Sequence, residues 1–266
     1  ADDLLEGREA GTRGHEIAAA YIASQFALLG VKRGGQNGGY LFKVDLLESA
    51  LTGPAPTLTV STGRGALTLK HRGNAFIKGP IAGGAVNLNA PLVFVGFGMK
   101  DAALGYDDYK GLDVRGKFAV VLYGSPKGID SEVGAHLLSE QGRVAAEHGA
   151  AGVLFVMTRT TARAFPWQQV LELQRDETTT WVRRDGTPFD PTYGLKASAV
   201  IEPAVAASLF AGEPKTLPQI LDEADQTGGR PQGFTLKATA KISVATKVRR
   251  FSSPNVVGIV VGSDPK

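Results

Sequence analysis

Three short apolar runs stand out in the hydrophobic and polar pattern of the chain: Leu92–Phe97, Phe118–Tyr123 and Gly152–Val156. Each is bounded by Gly or Pro and has the length of a strand buried on both faces. Between the last two, Ser139–Gly149 lacks Pro and ends on Gly, which predicts the helix of a βαβ crossover. Nearer the start, Ile17, Ala18, Tyr21, Ile22, Leu28 and Leu29 fall on one face at helical spacing. They predict an amphipathic helix with Thr12 as N-cap and Gly30 just past its end. Such a stripe needs a sheet or other helices to cover it.

The remaining pattern is mostly strand and turn. A strand is expected near Tyr40–Leu47, and Leu58, Val60, Leu67 and Leu69 alternate around Thr-Gly-Arg-Gly, which is hairpin grammar. Gly79–Ala90 reads as a Gly-rich connector. After Val156 come a polar stretch, a short helix from Pro166-Trp167 through Gln174, and turn chemistry at 183–188. A strand at Lys196–Ile201 and helices at Pro203–Phe210 and Leu217–Ala224 follow. From Phe234 to Val248 apolar residues alternate, as in a long half-buried antiparallel strand. Val256–Val261 supplies a last apolar strand. Turn-rich breaks near Gly53–Pro56 and Phe251–Pro254 suggest three segments, 1–53, 54–250 and 251–266.

Composition narrows the class. At 266 residues, 43% hydrophobic and 21% charged, the chain is long enough for one large or two moderate globular domains. No apolar run approaches the ~20 residues that span a bilayer, so no membrane span is expected. The opening ADDLLEGREAG has neither the basic start nor the apolar core of a signal peptide. Net charge is +3, with the densest basic cluster at Lys247, Arg249 and Arg250, too small for a nucleic-acid footprint. The absence of cysteine excludes disulfides, thiolate catalysis and cysteine-ligated metals, and it suits an exported bacterial protein as well as many cytosolic ones. The 34 glycines imply a body rich in strands and tight turns.

Candidate chemistry is sparse. None of His15, His71, His136 and His148 stands in HExxH, HxH or His-x-Asp. Glu132, His136 and Glu140 share one helix face at i, i+4 and i+8, although Gly134 weakens that helix. A solvated face explains them more simply than a metal does. His148 suits the last turn of a helix, and His15 reads as solvated in a first turn. Gly124-Ser125-Pro126 follows a strand but is not GxSxG, and Gly96-Phe97-Gly98 lacks the third glycine of a dinucleotide loop. Asp107, Asp108 and Asp113, near Tyr106 and Tyr109, read as caps for backbone N–H groups rather than as a calcium or acid–base pair. No catalytic or metal residue is assigned, and no binding residue can be named.

Three motifs in order resemble a known family. LEGREAGTRGHEIAAAYIASQFALLGVKRGG resembles the opening of bacterial zinc aminopeptidases of metallopeptidase family 28. VFVGFGMKDAALGYDDYKGLDVRGKFAVVLYGSP through AAEHGAAGVLFV resembles a protease-associated (PA) domain. SSPNVVGIVVGSDPK resembles the peptidase strand that precedes that family's His-x-Asp ligand motif. The resemblance implies a β-rich mixed α/β fold: a PA-type β-barrel or sandwich with flanking helices at 54–250. It also implies an incomplete piece of an α/β zinc-peptidase domain, with helix and strands in 1–53 and a returning strand in 251–266. No residue matches a zinc ligand or the catalytic Glu, so this chain is expected to be inactive alone and to hold no cofactor. Zinc, the rest of the catalytic domain, peptide or protein substrates and an exported location are implied for the full-length protein. A stand-alone PA-type peptide- or protein-binding module is the alternative. A hydrolase built on Glu132, His136 and Glu140 ranks last.

Overall fold

The structure is a computed structural model that describes residues 3–262. It is a β-rich mixed α/β protein, as the sequence implies, and its residues fall into two compact units. One comprises residues 3–48, 179–189 and 248–262; the other, larger unit comprises 49–178 and 190–247.

The larger unit is organised by the three apolar runs. Gly84–Phe94, Phe118–Tyr123 and Gly152–Met157 lie side by side and parallel, with Leu92 opposite Phe118 and Phe118 opposite Gly152. Ala197–Ile201 adds a fourth parallel strand, and Ala75–Lys78 pairs antiparallel to it. On the opposite side, the strand Phe234–Val256 runs antiparallel to Gly84–Phe94. Its residues 239–243 also pair with the hairpin Thr57–Thr62 and Gly65–Lys70. A bridge from His71 to Ala75 brings the hairpin end to the far edge strand, so the sheet nearly closes into a barrel.

Alternate residues of the central strand serve two cores. Phe118, Val120 and Leu122 join Phe94, Leu154, Ile201 and Ile242 in one, while Ala119 and Val121 join Val93, Val144, Ala145 and Val153 in the other. Burial on both faces is why these strands read as continuous apolar runs rather than alternating ones. The long strand, covered on one face only, alternates as expected: Leu236, Ala238, Ala240, Ile242 and Val244 are buried, with Lys237 and Lys241 exposed between them.

The crossover helix is longer than its pattern predicts. It runs Ser131–Glu147, with the Asp130 carboxylate accepting from the Glu132 and Val133 amides as N-cap. The helix runs through Gly134, where a Cβ would stand 2.9 Å from Ser125 Oγ: the glycine lets the helix approach the strand-end turn. Gly79–Ala90 is likewise not a connector throughout, since the strand already begins at Gly84. Its pairing with the long strand outweighs the low strand propensity of its residues.

In the smaller unit, the helix Arg13–Leu28 starts at Thr12, whose hydroxyl accepts from the His15 amide at 3.3 Å. It ends before Gly30, which takes a left-handed φ of +67°. Its stripe is largely uncovered: Tyr21 is 65% exposed, Leu28 80% and Leu29 76%. The expected last strand, Val256–Val261, is corrected. Val256 ends the long strand, only Gly258–Ile259 pairs (with Lys32–Arg33), and Val260 and Val261 are exposed. A turn at 183–188 folds Phe189 back on Trp181, with rings stacked 4.9 Å apart.

Candidate functional site

The candidate site is a cavity of about 640 Å³ in the larger unit, between the loop 100–112 and the segment 230–233. The loop follows the turn at Gly96-Phe97-Gly98, where Gly96 and Gly98 both have φ near +63°. This turn ends the strand and redirects the chain, as a phosphate cradle also begins, but here it packs against protein. A Cβ on Gly96 would stand 2.6 Å from the Pro231 carbonyl. Gly233 is pressed equally close, with its Cβ position 2.5 Å from the Leu112 side chain and 2.6 Å from the Phe94 carbonyl. The cavity walls are fixed by these contacts.

Asp108 and Arg230, 122 positions apart in sequence, meet at the wall. Arg230 Nη2 donates to Asp108 Oδ1 at 2.5 Å, and the Met99 amide donates to Oδ2 at 3.0 Å. The Arg230 guanidinium also lies 3.8 Å over the Tyr106 ring, in cation–π contact. Its Nε is buried and meets no acceptor among the described residues. The Asp108 side chain is 10% exposed and burial pushes its carboxyl up, against the pull of the Met99 N–H and of Arg230.

Behind this pair, Tyr109 is buried and its ring stacks on His148 at 4.2 Å. Burial, then the neighbouring Asp108, pushes the Tyr109 phenol up. His148 Nδ1 donates to the Val144 carbonyl at 2.8 Å, which leaves Nε2 as an acceptor 3.4 Å from Lys100 Nζ. Lys100 and Lys110 both line the cavity and are exposed.

The sequence-predicted residues distribute as follows. Asp107 accepts from the Tyr109 amide and Asp113 from the Arg115 amide, both as backbone caps. Asp108 departs from that expectation, because its second oxygen is spent on a distant arginine. His148 is a C-cap residue. His15 is not simply solvated: its ring nitrogens lie 3.2 Å from the Arg8 carbonyl and 2.9 Å from that of Pro254. His71 is partly buried, accepting the Ile77 amide on Nδ1 and donating from Nε2 to Asp176, an arrangement that ties the strand Ala75–Lys78 to a loop. Glu132 and His136 are exposed, and Glu140 is held by Arg143, so the three do not gather. Among the described residues no group of three or more His, Asp or Glu side chains is placed to hold a metal. Arg249 pairs with Glu48 and Arg250 with the Gly186 carbonyl. Among the described residues no helix is long and apolar enough to cross a membrane.

Sequence reasoning missed Arg230, Lys100, Lys110 and Gln141. Gln141 is buried on the crossover helix, and its amide donates to the carbonyls of Phe97, Leu122 and Gly124. It fastens the helix to the turn that carries the cavity loop. A Gln on an otherwise apolar helix face was the available signal. Arg230 had none beyond its flanking glycines.

The smaller unit has a groove of about 860 Å³ lined by His15, Ile17, Tyr21, Ile22, Pro254 and Val256 among others.

The sequence matches no protein-family model and no curated protein. Among solved structures it is similar to an aminopeptidase from Aneurinibacillus sp. strain AM-1, at 21% identity and a TM-score of 0.44, over 94% of this chain and 43% of that one. It is similar to BSAP, a zinc aminopeptidase from Bacillus subtilis, at 17% identity and a TM-score of 0.30, over 99% of this chain and 46% of that one. A psychrophilic subtilisin-like protease, Apa1 from the Antarctic Pseudoalteromonas sp. AS-11, follows at 9% identity and a TM-score of 0.29, over 79% of this chain and 36% of that one. The chain therefore spans less than half the length of each of these proteins, and its structural neighbours are bacterial aminopeptidases and a protease at low sequence identity.

Proposed function

We propose that this chain is the N-terminal region of an exported, zinc-dependent aminopeptidase, in which the larger unit is a PA-type accessory domain that gates substrate access or holds a peptide or protein. The observation that carries the reading is the uncovered stripe of Arg13–Leu28. Ile17, Tyr21, Ile22, Leu28 and Leu29 are all more than 40% exposed on a helix whose caps are otherwise well formed. A helix of this kind is stable when a sheet or second helix covers it. The three motifs in family order supply the identity of the missing cover: the remainder of a peptidase domain. The residues present do not fit a catalytic zinc site, since Glu140 is engaged by Arg143 and no ligand trio gathers among the described residues.

The second reading is a stand-alone binding module. It is favoured by the larger unit's two cores, which hold Phe94, Phe118 and Leu154 in one and Val93, Val121 and Val153 in the other at zero exposure.

The test compares the 266-residue chain with the chain extended along the native reading frame after Lys266. The expectation is an apolar strand and a His-x-Asp in that frame, one or two zinc ions and cleavage of an aminoacyl chromogen by the extended protein, and neither zinc nor turnover in the short one. A stop codon after Lys266 overturns the first reading in favour of the second. Turnover by the short chain that His136→Ala abolishes overturns both.

A further inference from the structure

We infer that the cavity between the loop 100–112 and the segment 230–233 binds a carboxylate group carried by a peptide, with Arg230, Lys100 and Lys110 as its cationic ligands and Tyr106 as a flat wall. This goes beyond the peptidase reading. It concerns only residues of the larger unit and holds whether or not a peptidase follows.

Size comes first. About 640 Å³ lies within the range of small-molecule and peptide-end sites. A carboxylate alone fills a small part of it, so there is room for the one or two residues that carry the group.

Charge decides the ligand class. The lining holds three cations, Lys100, Lys110 and Arg230, against two carboxylates, Asp107 and Asp108. Asp108 is consumed by Arg230 and the Met99 amide, and Asp107 caps the Tyr109 amide. Lys100 stands opposite Asp107 in the short ribbon Lys100–Asp101/Tyr106–Asp107 and its ammonium meets His148 Nε2, while no carboxylate comes within ion-pair distance of either lysine among the described residues. The lining is left with one net positive charge, which matches a monoanion. A phosphate dianion would face the two carboxylates with less compensation.

Preorganisation supports the same assignment. Arg230 is clamped by Asp108 on one edge and by the Tyr106 ring on its face. Only Nη2 of its two terminal nitrogens has an acceptor among the described residues, which leaves Nη1 of this lining residue without a protein partner there. A planar guanidinium held in this way presents a fixed donor to a planar carboxylate. Lys100, also in the lining, has its ammonium 3.4 Å from the acceptor nitrogen of His148, itself oriented by its bond to the Val144 carbonyl. The walls do not yield, because Gly96 and Gly233 pack too closely for any side chain.

Calorimetric titration of the whole 266-residue chain tests the site with four probes. They are an acetylated Ala-Ala-Leu peptide with a free C-terminus, its C-terminal amide, the amide with Glu in place of the central Ala, and inorganic phosphate. The expectation is saturable binding of the free-acid peptide, the Glu amide, or both, which identifies the source of the carboxylate. The neutral amide should not bind, and phosphate should compete weakly. Lys100→Gln and Lys110→Gln change exposed side chains, leave the fold intact and should each weaken binding about fivefold, the scale of an exposed charge pair. Arg230→Lys, which keeps the charge but loses the plane, should weaken it more. Equal binding of the neutral amide, tighter binding of phosphate, no binding of either acid, or lysine variants that bind like the parent would each overturn the inference.

Discussion

Replacing Gln141 by Met tests the joint between the crossover helix and the cavity loop. The Gln141 side chain is 1% exposed, and its amide nitrogen lies 2.8 Å from the Phe97 carbonyl, 2.9 Å from that of Leu122 and 3.2 Å from that of Gly124. Two hydrogens cannot make three full bonds, so the two short contacts carry most of the energy and the third shares it. Each is worth about 1 kcal/mol net, and a buried carbonyl left without a donor costs about 1–3 kcal/mol more. One gain opposes this. The Gln141 carbonyl oxygen is itself buried without a partner among the described residues, and Met removes that group. Met has nearly the same length, so no cavity term enters. The balance is a loss of about 2 kcal/mol. Urea unfolding followed by circular dichroism should show a lower midpoint at unchanged slope, and the melting temperature should fall by roughly 4–8 °C. The damage should also be local: the Gly98 and Met99 amides, which close the turn held by the Phe97 carbonyl, should exchange hydrogen faster than strand amides. An unchanged or raised midpoint would show that the three carbonyls find other donors and that Gln141 is not the fastener.

Other expectations follow from single contacts. Gly233→Ala forces a Cβ to within 2.6 Å of the Phe94 carbonyl and should cost at least about 2 kcal/mol in urea unfolding, whereas the exposed and open Gly63 should accept Ala within about 0.5 kcal/mol. Thr12→Ala removes the cap of Arg13–Leu28 and should cost that helix about 1 kcal/mol, read as faster exchange of the His15 amide. Hydrogen bonds from Arg159, then Lys127, hold the Asp225 carboxyl below its ordinary value. A depressed folded value means stability that is present above the unfolded carboxylate pKa and lost as pH falls through the folded one, so Asp225→Asn should flatten the acid limb of the stability profile. Asp108 has the opposite sign. Burial raises it, so its contribution weakens as pH rises through the raised value, and Asp108→Asn should remove that slope.

Much of the fold was legible because its signals are local. The apolar runs at Phe118–Tyr123 and Gly152–Val156, the alternation of Leu236 through Val244, the hairpin at Thr57–Lys70 and the Thr12 cap each depend on residues within a few positions and stand where the pattern puts them, whereas the run Leu92–Phe97 is a strand only to Phe94 and then turns at Gly96-Phe97. The Gly84 strand start and the Ser131 helix start were misread because Gly is penalised by propensity and rescued by packing. The strand gains its place from the long partner strand, and Gly134 gains its place from the closeness of Ser125. Among candidate chemistry, the capping roles of Asp107 and Asp113 were legible from turn grammar. The same grammar could not separate Asp108, whose fate is set by Arg230.

The class of the protein is already written in its residues: β-rich, with a parallel central sheet, a crossover helix and an amphipathic N-terminal helix. Periodicity, caps and turn residues act over short distances, and short distances are what a sequence displays. Where the candidate site lies depends on long-range contacts. Arg230 reaches Asp108 across 122 positions and Gln141 reaches Phe97 across 44, and neither pairing leaves a local mark. The structure also decided that the helix stripe stays exposed, because covering it depends on what the chain folds against and not on the spacing of Ile17, Tyr21 and Leu28.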